Sequence, residues 1–94
     1  MSKVIDGAVA LLGSKLKNFD GSAKFVLDGE GTIIADAAGV RAGDGEADVT
    51  LTASAETFRA ILEGEMNPTA AFMTGKLKVD GSMPMAMQLG AALS

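Results

Sequence analysis

The chain has 94 residues, 48% of them hydrophobic and 21% charged, with a net charge of −4 and no His, Cys, Trp or Tyr. That balance is far from disorder and suits one small core, read here as a single domain over 1–94. Without His or Cys there is no Ser-His-Asp or Cys-His triad, no Cys/His zinc cluster, no disulfide and no thiol redox chemistry, and the negative charge repels phosphate backbones, which excludes nucleic acid as a partner.

Val4 to Lys17 carries apolar residues at Val4, Ile5, Ala8, Val9, Leu11, Leu12 and Leu16, the spacing of an amphipathic helix. Asn18 to Ser22 reads as the turn out of it. From Ala23 the period becomes strand-like. Ala23–Leu27 and Thr32–Asp36 are short β-rich runs joined by Asp28-Gly29-Glu30-Gly31, a strong hairpin signal. A brief strand follows around Val40-Arg41-Ala42, and then Ala47–Ala53, where Val49 and Leu51 alternate with Asp48, Thr50 and Thr52. Such alternation means one wet face and one buried face. The block reads as an antiparallel meander with helices on one side only.

Ser54 is a good N-cap for a helix with the apolar stripe Phe58, Ile61 and Leu62, ended by Gly64. Asn67-Pro68 restarts a short helix that carries Phe72 and Met73 and closes at Gly75. Lys76 to Asp80 alternates as a fifth strand, expected at the sheet edge, where its lysines discourage edge-to-edge pairing. Ser82 caps a last helix, Met83 to Leu93, which has one polar side chain, Gln88, and no charge. No apolar run approaches about 18 residues and the N-terminal stretch is too short for a secretory signal, so the chain reads as cytoplasmic.

Motifs for other chemistries fail when written out. Gly29-Glu30-Gly31 lacks a third glycine and joins strand to strand, while Gly75-Lys76 is followed by Leu77 where a P-loop needs Ser or Thr. Asp44, Glu46 and Asp48 suggest calcium, yet Val49 and Ala55 stand where an EF-hand needs Gly and Glu. These readings leave no catalytic residue, no metal site and no cofactor, and the chain is expected not to be an enzyme.

Methionine carries the positive signal. After the initiator, Met66, Met73, Met83, Met85 and Met87 all fall within one stretch, beside Phe72 and Leu89. Methionine side chains repack around apolar shapes, and an uncharged helix calls for a lipid, a partner or a second copy on its outer side.

The run Ala47-Asp48-Val49-Thr50-Leu51-Thr52, then Met66-Asn67-Pro68-Thr69-Ala70-Ala71-Phe72-Met73-Thr74-Gly75-Lys76-Leu77-Lys78-Val79-Asp80-Gly81, then Ala86-Met87-Gln88-Leu89, resembles the sterol carrier protein 2 (sterol-binding) domain family. The resemblance implies an α+β fold, a five-stranded, mostly antiparallel sheet with helices on one face enclosing an apolar tunnel. It implies binding and transfer of a fatty acid, fatty acyl-CoA or sterol-like lipid, delivered transiently to a membrane or protein acceptor. The positions matching the family's tunnel wall are Phe58, Ile61, Leu62, Phe72, Met73, Met83, Met87 and Leu89. No Trp or Tyr is available to recognise a sterol hydroxyl, and the terminal Ala-Leu-Ser does not match a peroxisomal Ser-Lys-Leu. The alternative is a protein–protein assembly module whose uncharged last helix packs against another protein or against a second copy of itself.

Overall fold

The computed structural model describes residues 3–16 and 21–93. In chain order these form α1 (Lys3–Lys15), β1 (Ala23–Asp28), β2 (Gly31–Asp36), β3 (Gly39–Ala42), β4 (Val49–Ser54), α2 (Ala55–Leu62), α3 (Pro68–Met73), β5 (Lys78–Gly81) and α4 (Met83–Leu93). The expected turn over Asn18–Ser22 and the end of the first helix at Lys17 lie partly or wholly outside the described residues.

The strands make one sheet in the order β3-β2-β1-β4-β5. Three of its four pairings are antiparallel, and β1 with β4 is parallel. The expected meander therefore holds through β3 and then breaks. β4 does not continue beside β3 but returns to the sheet centre. Burial explains the break: Val49, Leu51 and Ala53 of β4 are all buried, whereas β3 buries no residue completely and serves as an edge. β5 closes the opposite edge, with Lys78 opposite Thr52 on the outer face.

Register assigns the faces. Val79, Leu51, Phe25, Ile33 and Ala42 form one row across all five strands, and Ala23, Val49 and Ala35 belong to the next. Because side chains alternate along a strand, these rows share the face that the helices cover. Ile5, Ala8, Leu12 and Leu16 from the N-terminal region pack there with Phe58, Ile61, Leu62, Ala71, Leu77, Leu89 and Leu93. The other face carries Lys24, Thr32, Thr50, Thr52 and Lys78. Helix α1 lies over β2 and β3 and against α2, while α4 lies over β4 and β5 and against α3. The sheet thus has helices on one face, as expected.

Two helix starts follow directly from their caps. Ser54 accepts a hydrogen bond from the Thr57 N–H at 3.1 Å, and Asn67 Oδ1 accepts from Thr69 N at 2.8 Å and Ala70 N at 3.3 Å. Pro68 occupies the first turn of α3, where its missing N–H costs nothing.

Candidate functional site: an apolar groove between two helices and the sheet edge

The end of α3 determines where the site begins. Gly75 takes φ +80°, a conformation that favours glycine, and the chain doubles back so that the Lys76 and Leu77 N–H groups both donate to the Ala71 carbonyl, at 2.9 and 3.1 Å. Those two residues therefore belong to the turn and not to the fifth strand, which starts at Lys78. The turn delivers Leu77 into the core.

The other side is positioned by Asp48. Its N–H donates to Ser22 Oγ at 2.9 Å, Ser22 Oγ donates back to Asp48 Oδ2 at 3.1 Å, and its carbonyl accepts from Ser82 N at 3.0 Å. One residue thus ties the start of β1 and the entry to α4 to the entry of β4. Gly81, at φ +102°, fits directly against the Asp48 carbonyl. The first turn of α4 follows at once, with Ala86 N donating to the Ser82 carbonyl at 3.0 Å.

Between α3, α4 and the β4–β5 edge lies a cavity of about 530 Å³. Its floor is Leu51, Leu77 and Val79, α3 contributes Pro68, Thr69, Phe72 and Met73, and α4 contributes Met83, Ala86, Met87, Gly90, Ala91 and Leu93. Among the described residues, Thr69 is the only one of the lining with a polar side chain, and none of the lining is charged. The rim is open: Met73 is 79% exposed, Met87 75%, Met83 49% and Phe72 44%. The space is therefore a groove open at its lip, rather than a tunnel closed on all sides.

The eight residues matched to the tunnel wall separate into two groups. Phe72, Met73, Met83 and Met87 border the groove. Phe58, Ile61, Leu62 and Leu89 are buried in the core cluster, where α2 packs on α1, β1 and β4. Leu51, Val79 and Leu93 border the groove and were absent from that expectation. The alternation of Leu51 and Val79 marked them as inward-facing, but their meeting at one end of the sheet depends on the pairing of β4 with β5.

Among the described residues, no ionisable side chain lines the groove. A neighbouring, more polar hollow of about 680 Å³ is lined by Glu56, Arg59, Glu65 and Lys76 among others. Arg59 Nε donates to Glu63 Oε2 at 2.8 Å, which pushes the guanidinium pKa up. With both charge signs exposed to water, that hollow is a solvated surface. The acidic turn considered for calcium is spent otherwise: Asp44 pairs with Lys24 at 2.6 Å, and Asp48 is held by Ser22. Among the described residues no helix is long and apolar enough to cross a membrane.

A model of the SCP-2 sterol transfer family matches residues 4–94. The chain is 36% identical over 91 residues to peroxisomal multifunctional enzyme A of Dictyostelium discoideum, covering 97% of this chain and 20% of that protein. It spans about a fifth or less of the length of the first curated relatives it matches. Among solved structures, sterol carrier protein 2 from Yarrowia lipolytica (apo form) superposes with a TM-score of 0.71 at 28% identity, covering 96% of this chain and 84% of that one. The solution structure of sterol carrier protein 2 from Aedes aegypti in complex with palmitate superposes at 0.79, with 22% identity over 100% of this chain and 97% of that one.

Proposed function

The chain belongs to the SCP-2 sterol transfer family, and we propose from that premise that residues 1–94 act as a single non-catalytic unit that binds an apolar lipid of the fatty-acyl or sterol-like class in the groove and transfers it. The observation that carries this reading is the wall: about 530 Å³ bordered by Leu, Met, Phe, Val, Ala, Gly and Pro, with Thr69 as its one polar side chain. Pockets for small molecules are of this size and this chemistry. The Aedes aegypti structure with palmitate supports a fatty-acyl ligand by likeness of fold.

The driving force is burial. Each methylene moved from water into the groove contributes about 0.8 kcal/mol. Ten methylenes supply about 8 kcal/mol before the cost of immobilising the ligand, which is itself several kcal/mol. The groove supplies no charged anchor, so selection rests on shape and chain length. Phe72, Met73, Met83 and Met87 form the contact surface in this reading, while Phe58, Ile61, Leu62 and Leu89 belong to the packed core and not to the wall. Release to a membrane or protein acceptor proceeds through the open lip, past the uncharged face of α4. The working compartment is the cytosol, a placement that cell fractionation tests. One relative is a peroxisomal multifunctional enzyme, of which this chain covers 20%; in this reading the chain itself contributes lipid binding and no catalytic step.

The deciding experiment is native mass spectrometry of the purified chain, with calorimetric titration of palmitate into delipidated protein. A one-to-one complex with micromolar or tighter affinity is expected. Absence of bound lipid, together with no thermal shift on adding palmitate, would overturn the reading.

A further inference from the structure

We propose that Met73, Met83 and Met87 are an oxidation-sensitive wall, at which a peroxide converts the thioethers to sulfoxides and thereby expels the apolar ligand. The inference rests on the lipid-binding reading above and adds a modification site to it.

Among the described residues, the exposed oxidisable side chains gather in one place. It contains no Cys, Trp, Tyr or His, and six Met. Three of those six border the groove, at 79%, 75% and 49% exposure for Met73, Met87 and Met83. Met66 and Met85 are half-buried and pack against the core. Susceptibility to oxidation follows access, so among the described methionines a peroxide meets those of the groove first. The step is complete with a hydroperoxide as oxidant. The methionine sulfur attacks the terminal peroxide oxygen, the O–O bond breaks and an S–O bond forms. Sulfur is oxidised by two electrons, and the peroxide leaves as water or an alcohol after taking up a proton.

The consequence follows from the wall's polarity. A sulfoxide is a strong hydrogen-bond acceptor, and among the lining residues only Thr69 offers a side-chain donor. In the open groove, sulfoxides on Met73 and Met87 are hydrated and leave the fold intact. A lipid lying over them strips that water and leaves the acceptors unsatisfied, at a cost that falls on binding alone. The converse also holds: a bound lipid covers the three sulfurs and slows their oxidation. Methionine sulfoxide reductases restore the thioether, which makes the change reversible.

The test uses the full chain, hydrogen peroxide and palmitate. Peptide mass mapping over time is expected to show oxidation at Met73 and Met87 first, Met83 next, and Met66 and Met85 last, with saturating palmitate slowing the first three. Palmitate affinity is expected to fall at least about tenfold in the oxidised chain while its circular dichroism spectrum is unchanged. In the Met73→Leu, Met83→Leu, Met87→Leu triple variant, the ratio of affinities before and after peroxide is expected to stay near one. A ratio as large as that of the unaltered chain, or affinity that survives three groove sulfoxides, would overturn the proposal. An untreated chain that takes up no palmitate overturns the carrier reading as well, whereas binding that persists through oxidation overturns this inference alone.

Discussion

Phe25 and Phe58 meet edge to face, with ring centroids 6.0 Å apart and planes at 76°, and both rings are fully buried. The contact draws the stripe of α2 into the core and leaves α3 and α4 to form the groove.

The two phenylalanines Phe58 and Phe72 should therefore behave in opposite ways. Phe58→Ala removes a ring from a packed core and is expected to cost about 3 to 5 kcal/mol in urea unfolding, enough to bring a domain of this size near its limit. Phe72→Ala acts on a side chain 44% exposed and is expected to cost about 1 kcal/mol or less while weakening palmitate binding in calorimetry. Phe72→Asp goes further: a carboxylate at the lip abolishes palmitate uptake in a chain whose circular dichroism remains folded.

A groove without charged anchors sets a simple dependence on ligand length. Each two-carbon shortening of a saturated fatty acid, from palmitate to laurate, is expected to weaken the dissociation constant by about tenfold. An affinity indifferent to chain length would place the acyl chain outside the groove.

Gly81→Ala is expected to destabilise by about 2 kcal/mol or more, measured by denaturant midpoint. A Cβ there would strike the Asp48 carbonyl oxygen and lie 3.1 Å from Val49 Cα, on a backbone at φ +102°. Since Ser82 N bonds to that same carbonyl, the change also displaces α4, so lipid affinity should fall together with stability.

Among the described residues, two ion-paired carboxyls, Asp36 and Asp44, carry the acid sensitivity. Arg41 donates to both oxygens of Asp36 at 2.9 Å each, and Asp36 Oδ1 also accepts from Ala38 N at 2.9 Å, so its carboxyl titrates below its ordinary 3.8. The hydrogen bond from Lys24 lowers Asp44 in the same sense. A carboxyl that binds its proton less readily when folded contributes stability above the ordinary value, and loses it as pH falls through the lower folded value. With no histidine in the chain, the unfolding midpoint is expected to be level from neutral pH to about 4 and to drop below that. Asp36→Asn should make the acid drop shallower, as seen in urea midpoints collected across the pH series.

The legible parts of this fold were the local ones. Ser54 and Asn67 announce their helices because a cap is decided within four residues, and the alternation in Val49–Ala53 announces a half-buried strand wherever it pairs. The position of β4 beside β1 was not legible, since nothing in residues 43–48 says which edge the chain will return to. The site shows the same limit. Phe58, Ile61 and Leu62 have the spacing of a helix face that meets something apolar, and spacing cannot distinguish a ligand from the packed ring of Phe25. The methionine cluster was a better guide, because long flexible side chains gathered in one stretch stay exposed at Met73, Met83 and Met87.

The parallel pairing of β1 with β4 also governs how the protein is made. Synthesis from the N-terminus supplies β1, β2 and β3 first, and residues 29–48 must emerge before β4 can join. Until then β1 has β2 on one side and bare backbone amides and carbonyls on the other, in the middle of what will become the sheet. Joining strands so far apart in the chain is slow compared with closing a hairpin. A nascent chain halted in this interval therefore displays an adhesive edge beside Phe25, and its escape from aggregation depends on how quickly translation delivers Val49–Ser54.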